Sequence, residues 1–225
     1  RPFKWRSASA PAPALRAAML AEPLAGGSGP CERWTGTAFF ILGASTTISW
    51  DSVYMSVAYF EQFLGKSVLS VLSLCFSLPL FLAMLICLSL KRQLSMQTMA
   101  LLTKLCALYM LGLCALIPTI VYLDLQMPAP ALCALVGVNG VCAGVMQSMV
   151  ASMTGVFSQF SLESGTSGAA LKGTGGAILV PMVVQIALIP LALSGAPTSN
   201  LSVLIVFPVS CCILLGSYAV LEARG

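Results

Sequence analysis

The stretch GTAFFILGASTTISWDSVYMSVAYF, residues 36–60, decides how this chain is read. At about 1.5 Å per residue it is long enough to cross a hydrocarbon core of about 30 Å. It nevertheless carries Asp51 near its middle, directly after Trp50. An ionisable group at that depth costs about 2.5–3.5 kcal/mol on insertion scales, so it marks a functional site by default. Gly43, Thr47, Trp50 and Tyr54 recur at helical spacing and share one side of the helix. Asp51 follows Thr47 by four and borders that side. A stripe of this composition is unfavourable against lipid, so it is expected to look inward, toward other helices or water.

The rest of the chain agrees with a membrane setting. Of 225 residues, 58% are hydrophobic and 8% charged, against about 25% charged in a soluble domain. Five further apolar stretches of spanning length follow, at roughly 67–90, 97–123, 131–157, 168–193 and 200–221. The expected fold is an all-α membrane protein with six transmembrane helices over residues 35–225. Residues 1–34, rich in Ala, Pro, Gly and basic side chains, are expected to be a disordered cytoplasmic tail. The net charge of +4 collects in that tail (Arg1, Lys4, Arg6, Arg16, Arg33), in Lys91 and Arg92 after the second stretch, and in Arg224. Only Lys66 falls on the opposite side. The positive-inside rule then places both termini in the cytoplasm, Asp124 outside and Glu163 inside, with the plasma membrane as the expected location. Lys104 and Lys172, near the cytoplasmic starts of the third and fifth spans, are expected to snorkel to the interface; Glu163 is an alternative partner for Lys172.

Composition also narrows the chemistry. There is no histidine, which removes imidazole metal sites, histidine bases and histidine proton relays. The nine cysteines show no CxxC spacing, and eight lie within apolar runs, where they read as small buried hydrophobes. No phosphate loop, aspartyl dyad or TVGYG filter is present, so neither an enzyme nor an ion-channel filter is expected. No cofactor, metal or nucleic-acid partner is expected either.

The candidate binding groups therefore lie within the spans. Trp50 offers a flat indole surface and one N–H donor, and Asp51 offers acceptors for hydroxyls or base N–H groups, or a site for a proton. Plain packing for Trp50 and a structural hydrogen bond for Asp51 are the competing readings. In the fourth span, Gly140, Gly144 and Ser148 form a small-residue surface for close helix approach. Asn139 and Gln147, two turns apart beside that surface, carry amides that suit a nucleobase edge or an interhelical hydrogen bond. Pro79, Pro118, Pro181, Pro190 and Pro208 predict bent helices, a common feature of transporters.

These residues carry a family resemblance. Phe39-Phe40-Ile41-Leu42-Gly43, Ser49-Trp50-Asp51 and Tyr59-Phe60 resemble the FFxLG…PWN…YF of the first helix of equilibrative nucleoside transporters. Cys75-Phe76-Ser77-Leu78-Pro79-Leu80 is similar to their CxxLPL, and Asn139 with Gln147 to their NxxG…Q helix. Two glycine clusters, Ser164 to Gly168 and Lys172 to Gly175, each resemble the family's SGQG motif. The resemblance covers about residues 36–225. It implies a major-facilitator-like N-terminal half built from two three-helix inverted repeats, within a longer eleven-helix transporter. It further implies a nucleoside or nucleobase site at Thr47, Trp50, Asp51, Tyr54, Leu72, Asn139 and Gln147, the tryptophan packing on the nucleoside and the glutamine bonding the base. Two positions depart from the pattern: Asp51 stands for the family's Asn, and Ser49 for its Pro.

The expected function is alternating-access transport of nucleosides or nucleobases, either facilitative or proton-coupled, with a C-terminal half as the missing partner. The alternatives are a non-transporting truncated half that needs a partner, and a half-size transporter of another small polar solute. The chain does not begin with Met and stops at Glu222-Ala223-Arg224-Gly225, which leads to the expectation of a fragment.

Overall fold

A computed structural model describes residues 30–90, 94–125, 127–160, 166–194 and 198–222. Among these the chain is all-helical, with no strand: α1 (Pro30–Ser45), α2 (Ile48–Met55), α3 (Val57–Leu64), α4 (Val68–Leu90), α5 (Met96–Tyr122), α6 (Ala129–Phe160), α7 (Thr166–Ala177), α8 (Leu179–Leu193) and α9 (Thr198–Glu222). The expected tail up to residue 29, the Lys91–Arg92 loop, Glu163, Ser164-Gly165 and Arg224 lie outside the described residues.

Among the described residues, five helical stretches are long and apolar enough to cross a membrane: Val68–Leu90, Gln97–Tyr122, Ala129–Thr154, Ala169–Leu193 and Thr198–Glu222. The first expected span is instead divided into α1, α2 and α3, with breaks at Thr46-Thr47 and at Ser56. Side-chain chemistry accounts for the first break. Ser45 Oγ donates to the Leu42 carbonyl at 2.8 Å and Thr46 Oγ1 to the Gly43 carbonyl at 2.7 Å, so two consecutive hydroxyls offer the backbone an alternative to the helical ladder. The Thr46 and Thr47 amides turn back to Gly43 and Ala44, three residues earlier. The division between α7 and α8 has another cause: Pro181 has no N–H to give the Ala177 carbonyl, and the helix loosens at Ile178.

Three pairings hold the bundle together: α4 against α6, α1 against α7, and α5 against α9, with α5 also lying along α6. Successive long helices alternate in direction, because one end of the bundle collects Phe39 and Leu42 from α1, Cys87 from the end of α4 and Met99 from the start of α5. The same apolar cluster takes Met149, Val150 and Met153 from α6, Ala170 from α7 and Leu221 from the end of α9. At that end Lys104 Nζ pairs with Glu222 Oε2 at 2.6 Å, which gives the expected snorkelling lysine a specific partner. Lys172 is exposed. A larger core runs through the middle of the bundle and includes Ile48, Leu72, Phe76, Met110, Met146 and Phe207.

Glycines set the closest approaches. A Cβ on Gly140 or Gly144 of α6 would collide with the Phe76 or Leu80 carbonyl of α4. A Cβ on Gly43 of α1 would strike Ala170 of α7, and one on Gly173 of α7 would strike the Phe40 carbonyl of α1. Both crossings therefore bring helix backbones into contact, which only glycine allows.

Candidate functional site

The break in the first helical region positions the residues singled out from the sequence. Beyond Thr46-Thr47 the chain resumes as α2, so the stripe expected on one continuous face is divided between two neighbours. Gly43 and Thr47 face α7: Thr174 Oγ1 lies 3.1 Å from the Gly43 carbonyl, and Thr47 Oγ1 lies 3.5 Å from the Thr174 carbonyl. Trp50, past the break, faces α4 instead. Its indole stacks on Phe76 with ring centroids 4.3 Å apart and planes 8° from parallel. Tyr54, one turn on, is 43% exposed, its ring 6.4 Å from the indole and inclined by 52°. Phe76, Trp50 and Tyr54 thus form an aromatic row running from the core to the bundle surface.

Asp51 is half-buried, and the Thr47 hydroxyl one turn back is its hydrogen-bonding neighbour. Side chains on a helix lean toward its N-terminus, which brings this carboxylate back over the break. The only ion pair among the described residues is Lys104–Glu222, so Asp51 has no cationic partner there.

Asn139 is fully buried, and its Oδ1 accepts a 2.9 Å hydrogen bond from Ser49 Oγ, joining α6 to α2 beside Trp50. Its Nδ2 has no partner. An unmet buried donor of this kind costs about 1–3 kcal/mol, a deficit that an incoming acceptor would relieve. Leu72 is fully buried in the core against which Trp50 packs. Gln147 is half-buried two turns further along α6 than Asn139. It lies about 10 Å nearer the Lys104–Glu222 end than Gly140, the residue that contacts Phe76, at 1.5 Å per residue. The structure thus brings Ser49, Trp50, Tyr54, Phe76, Leu72 and Asn139 together, places Thr47 and Asp51 at the break beside α7, and sets Gln147 apart along the bundle axis.

Several contributing residues were not among the sequence candidates. Gln185, from α8, donates to the Met55 carbonyl at 2.8 Å and also bonds Ser202 of α9, so it caps the second break. Thr174 does the same for the first. Ser52 and Ser210 share a buried 2.6 Å hydrogen bond between α2 and α9. Gln185 was detectable as the sole strongly polar side chain in Leu179–Leu193, by the reasoning that singled out Gln147. Thr174 and the serines give no such signal, because small hydroxyls are common in packed membrane helices. Among the described residues no three acidic or cysteine side chains converge on a possible metal position.

No protein-family model matches the chain, and no curated protein matches it.

Proposed function

We propose that the chain forms a six-span half of an alternating-access transporter for nucleosides or nucleobases, similar to equilibrative nucleoside transporters, with α1–α3 together as its first span. The helix pairing carries the transporter reading. Numbering the spans in order, the first packs on the fifth, the second on the fourth and the third on the sixth. Exchanging the first three spans for the last three leaves that set of pairs unchanged, as two inverted three-helix repeats require. The register of the two repeats supports it further: Gly43 and Gly140, Thr47 and Gly144, and Trp50 and Gln147 are each 97 residues apart. Both glycines of the first pair make a close crossing. In this arrangement Trp50 and Gln147 are equivalent positions on either side of the midplane, on the two helices that line the pathway.

The solute class rests on the family resemblance and on the site's chemistry. Phe76 covers one face of the Trp50 indole, and the opposite face takes a planar ring beside Tyr54. The orphaned Asn139 amide supplies a donor and Gln147 both a donor and an acceptor, a set that suits a base edge better than a purely apolar solute. A second bundle completes the pathway, and the positive-inside count puts the Lys104–Glu222 end in the cytoplasm.

Uptake of radiolabelled adenosine or inosine by cells expressing the protein tests this reading. Trp50→Ala and Gln147→Ala are each expected to lower uptake by about tenfold at equal surface expression, the ~1.4 kcal/mol of one lost stacking or hydrogen-bond contact. Uptake that neither substitution changes rejects the assigned roles. Asp51→Asn separates the two transport modes: a pH dependence present in the parent and absent from the variant marks proton coupling, and a flat profile in both marks facilitation.

A further inference from the structure

The break at Thr46-Thr47 collects more oxygen than the helix geometry uses. Among the described residues, no backbone N–H returns to the Thr46 carbonyl, which lies between the two helices. It points along the helix axis into the gap before α2, as carbonyls at the end of a helix do. Asp51 leans back over the same gap onto Thr47. Across it, α7 presents the Thr174 carbonyl, 3.5 Å from Thr47 Oγ1. That separation is long for a hydroxyl donating to a carbonyl, where about 2.7–2.8 Å is usual. It is close to the spacing of two oxygens that share one hard cation at about 2.4 Å and a right angle, roughly 3.4 Å.

We propose that this break is a binding site for a monovalent hard cation, sodium in particular, with the Asp51 carboxylate, the Thr47 hydroxyl, the Thr174 carbonyl and the freed Thr46 carbonyl as its ligands. Charge selects the valence. A single carboxylate without a cationic partner in an apolar bundle is neutralised by one positive charge, whereas a divalent ion would leave an excess charge buried. Among the described residues no lysine does this in its place: Lys104 is engaged with Glu222. Lys172 is exposed and stands two residues, about 200° of helix, from the Thr174 face. The donors are all oxygen, without the thiolate or imidazole that a transition metal prefers. Unwound backbone at membrane depth is tolerated where it is buried in protein or lines a cavity, and half-helix ends of this kind hold cations in broken-helix membrane proteins. The inference shares with the proposed function only the reading of the bundle as membrane-spanning, and it does not depend on which solute is carried.

Binding of radioactive sodium to the purified full chain in nanodiscs, with no solute present, tests it. N-methylglucamine chloride holds the ionic strength constant, and potassium and lithium chloride serve as competitors. Saturable binding of one sodium per chain is expected, with unlabelled sodium the strongest competitor and N-methylglucamine inert. Asp51→Asn and Thr47→Val are expected to weaken binding at least tenfold, and Thr47→Ser, which keeps the hydroxyl, to leave it within about twofold. Absence of saturable sodium binding in the parent protein overturns the proposal, as does equal competition by every salt. So does equal binding by a folded Asp51→Asn variant. If Asp51→Asn does not fold, Thr47→Val against Thr47→Ser decides by the same criteria. Failure of the transport reading leaves this measurement untouched, because no solute enters it; loss of sodium binding with uptake intact rejects the cation site alone.

Discussion

The two glycine crossings of this bundle are built on the same contact and put to different uses. Where α4 meets α6, two unbroken helices press together, with Gly140 and Gly144 against the Phe76 and Leu80 carbonyls. Both keep their helical path through the crossing, and the seam is mostly apolar. Where α1 meets α7, Gly43 and Gly173 make the same kind of contact. There, however, one partner breaks immediately after the crossing and the other three residues beyond Thr174. Hydroxyls and carbonyls fill the space: Thr46 and Thr174 both bond the Gly43 carbonyl, and Thr47 faces Thr174. Close packing alone thus does not make a site. The α4–α6 seam is scaffold, and the α1–α7 seam is where packing and interrupted backbone coincide beside an ionisable group.

The comparison is tested first at the glycines, where the effect is largest. Gly140→Ala and Gly173→Ala each drive a methyl group into a backbone carbonyl that cannot rotate away, and each is expected to cost about 1–3 kcal/mol or more. The lower melting midpoint of the purified protein reads this out. Gly112→Ala and Gly175→Ala, with open space around the added methyl, are the controls. They are expected to be neutral or to stabilise by up to about 1 kcal/mol through helix propensity. If the two seams are equal as contacts, Gly140→Ala and Gly173→Ala fall together. A much milder effect at Gly173 would show that the interrupted α1–α7 seam yields where the α4–α6 seam does not.

How far the sequence alone could reach follows the same division. Residues 67–90 and 131–157 were legible as helices because their signal is a long apolar run, and the small-residue surface of Gly140 and Gly144 was legible as a packing face. The polar stripe of residues 36–60 was legible as inward-facing at Gly43, Thr47 and Trp50, but Tyr54 reaches the bundle surface and the break was not legible. No proline stands at Thr46-Thr47, and the interruption depends on Ser45 and Thr46 choosing their own backbone as acceptor. The same residues, with their hydroxyls turned elsewhere, are compatible with a straight helix. The stacking of Trp50 on Phe76 was likewise out of reach, because it depends on the rotation that the break introduces. The Lys104–Glu222 pair was hidden by distance along the chain, its two members lying 118 residues apart.

A smaller effect is expected where the two regions are tied together. Ser49 of α2 and Asn139 of α6 share a fully buried hydrogen bond. Ser49→Ala leaves Oδ1 of Asn139 without this donor while Nδ2 already lacks a partner, so the single change is expected to cost about 1–2 kcal/mol. In the double-mutant cycle with Asn139→Leu, the coupling is expected near 0.6 kcal/mol and below about 1.7 kcal/mol, the range of such bonds within membranes. A coupling indistinguishable from zero would separate α2 from the α4–α6 scaffold and make the broken region an independent unit. Coupling at the top of the range would make the scaffold the element that holds Trp50 in place.

The smallest effect is expected at the third pairing, α5 with α9, which has neither a glycine crossing nor a break and is closed at one end by Lys104–Glu222. The carboxylate of that pair is 63% exposed and the lysine 20%. Water and salt therefore screen an attraction that the 2.6 Å separation would otherwise make strong. Lys104→Ala and Glu222→Ala are each expected to lower stability by no more than about 0.5–1 kcal/mol, less at high salt. The burial of Met99 and Leu221 nearby explains why: the end is already held by apolar contact that neither substitution removes. Melting midpoints measured in low and high salt distinguish this from a clamp. If either substitution lowers the midpoint as far as Gly140→Ala does, the ion pair and not the apolar cluster closes this end of the bundle. The contrast between a packed scaffold and a polar interrupted seam would then need a third, electrostatic element.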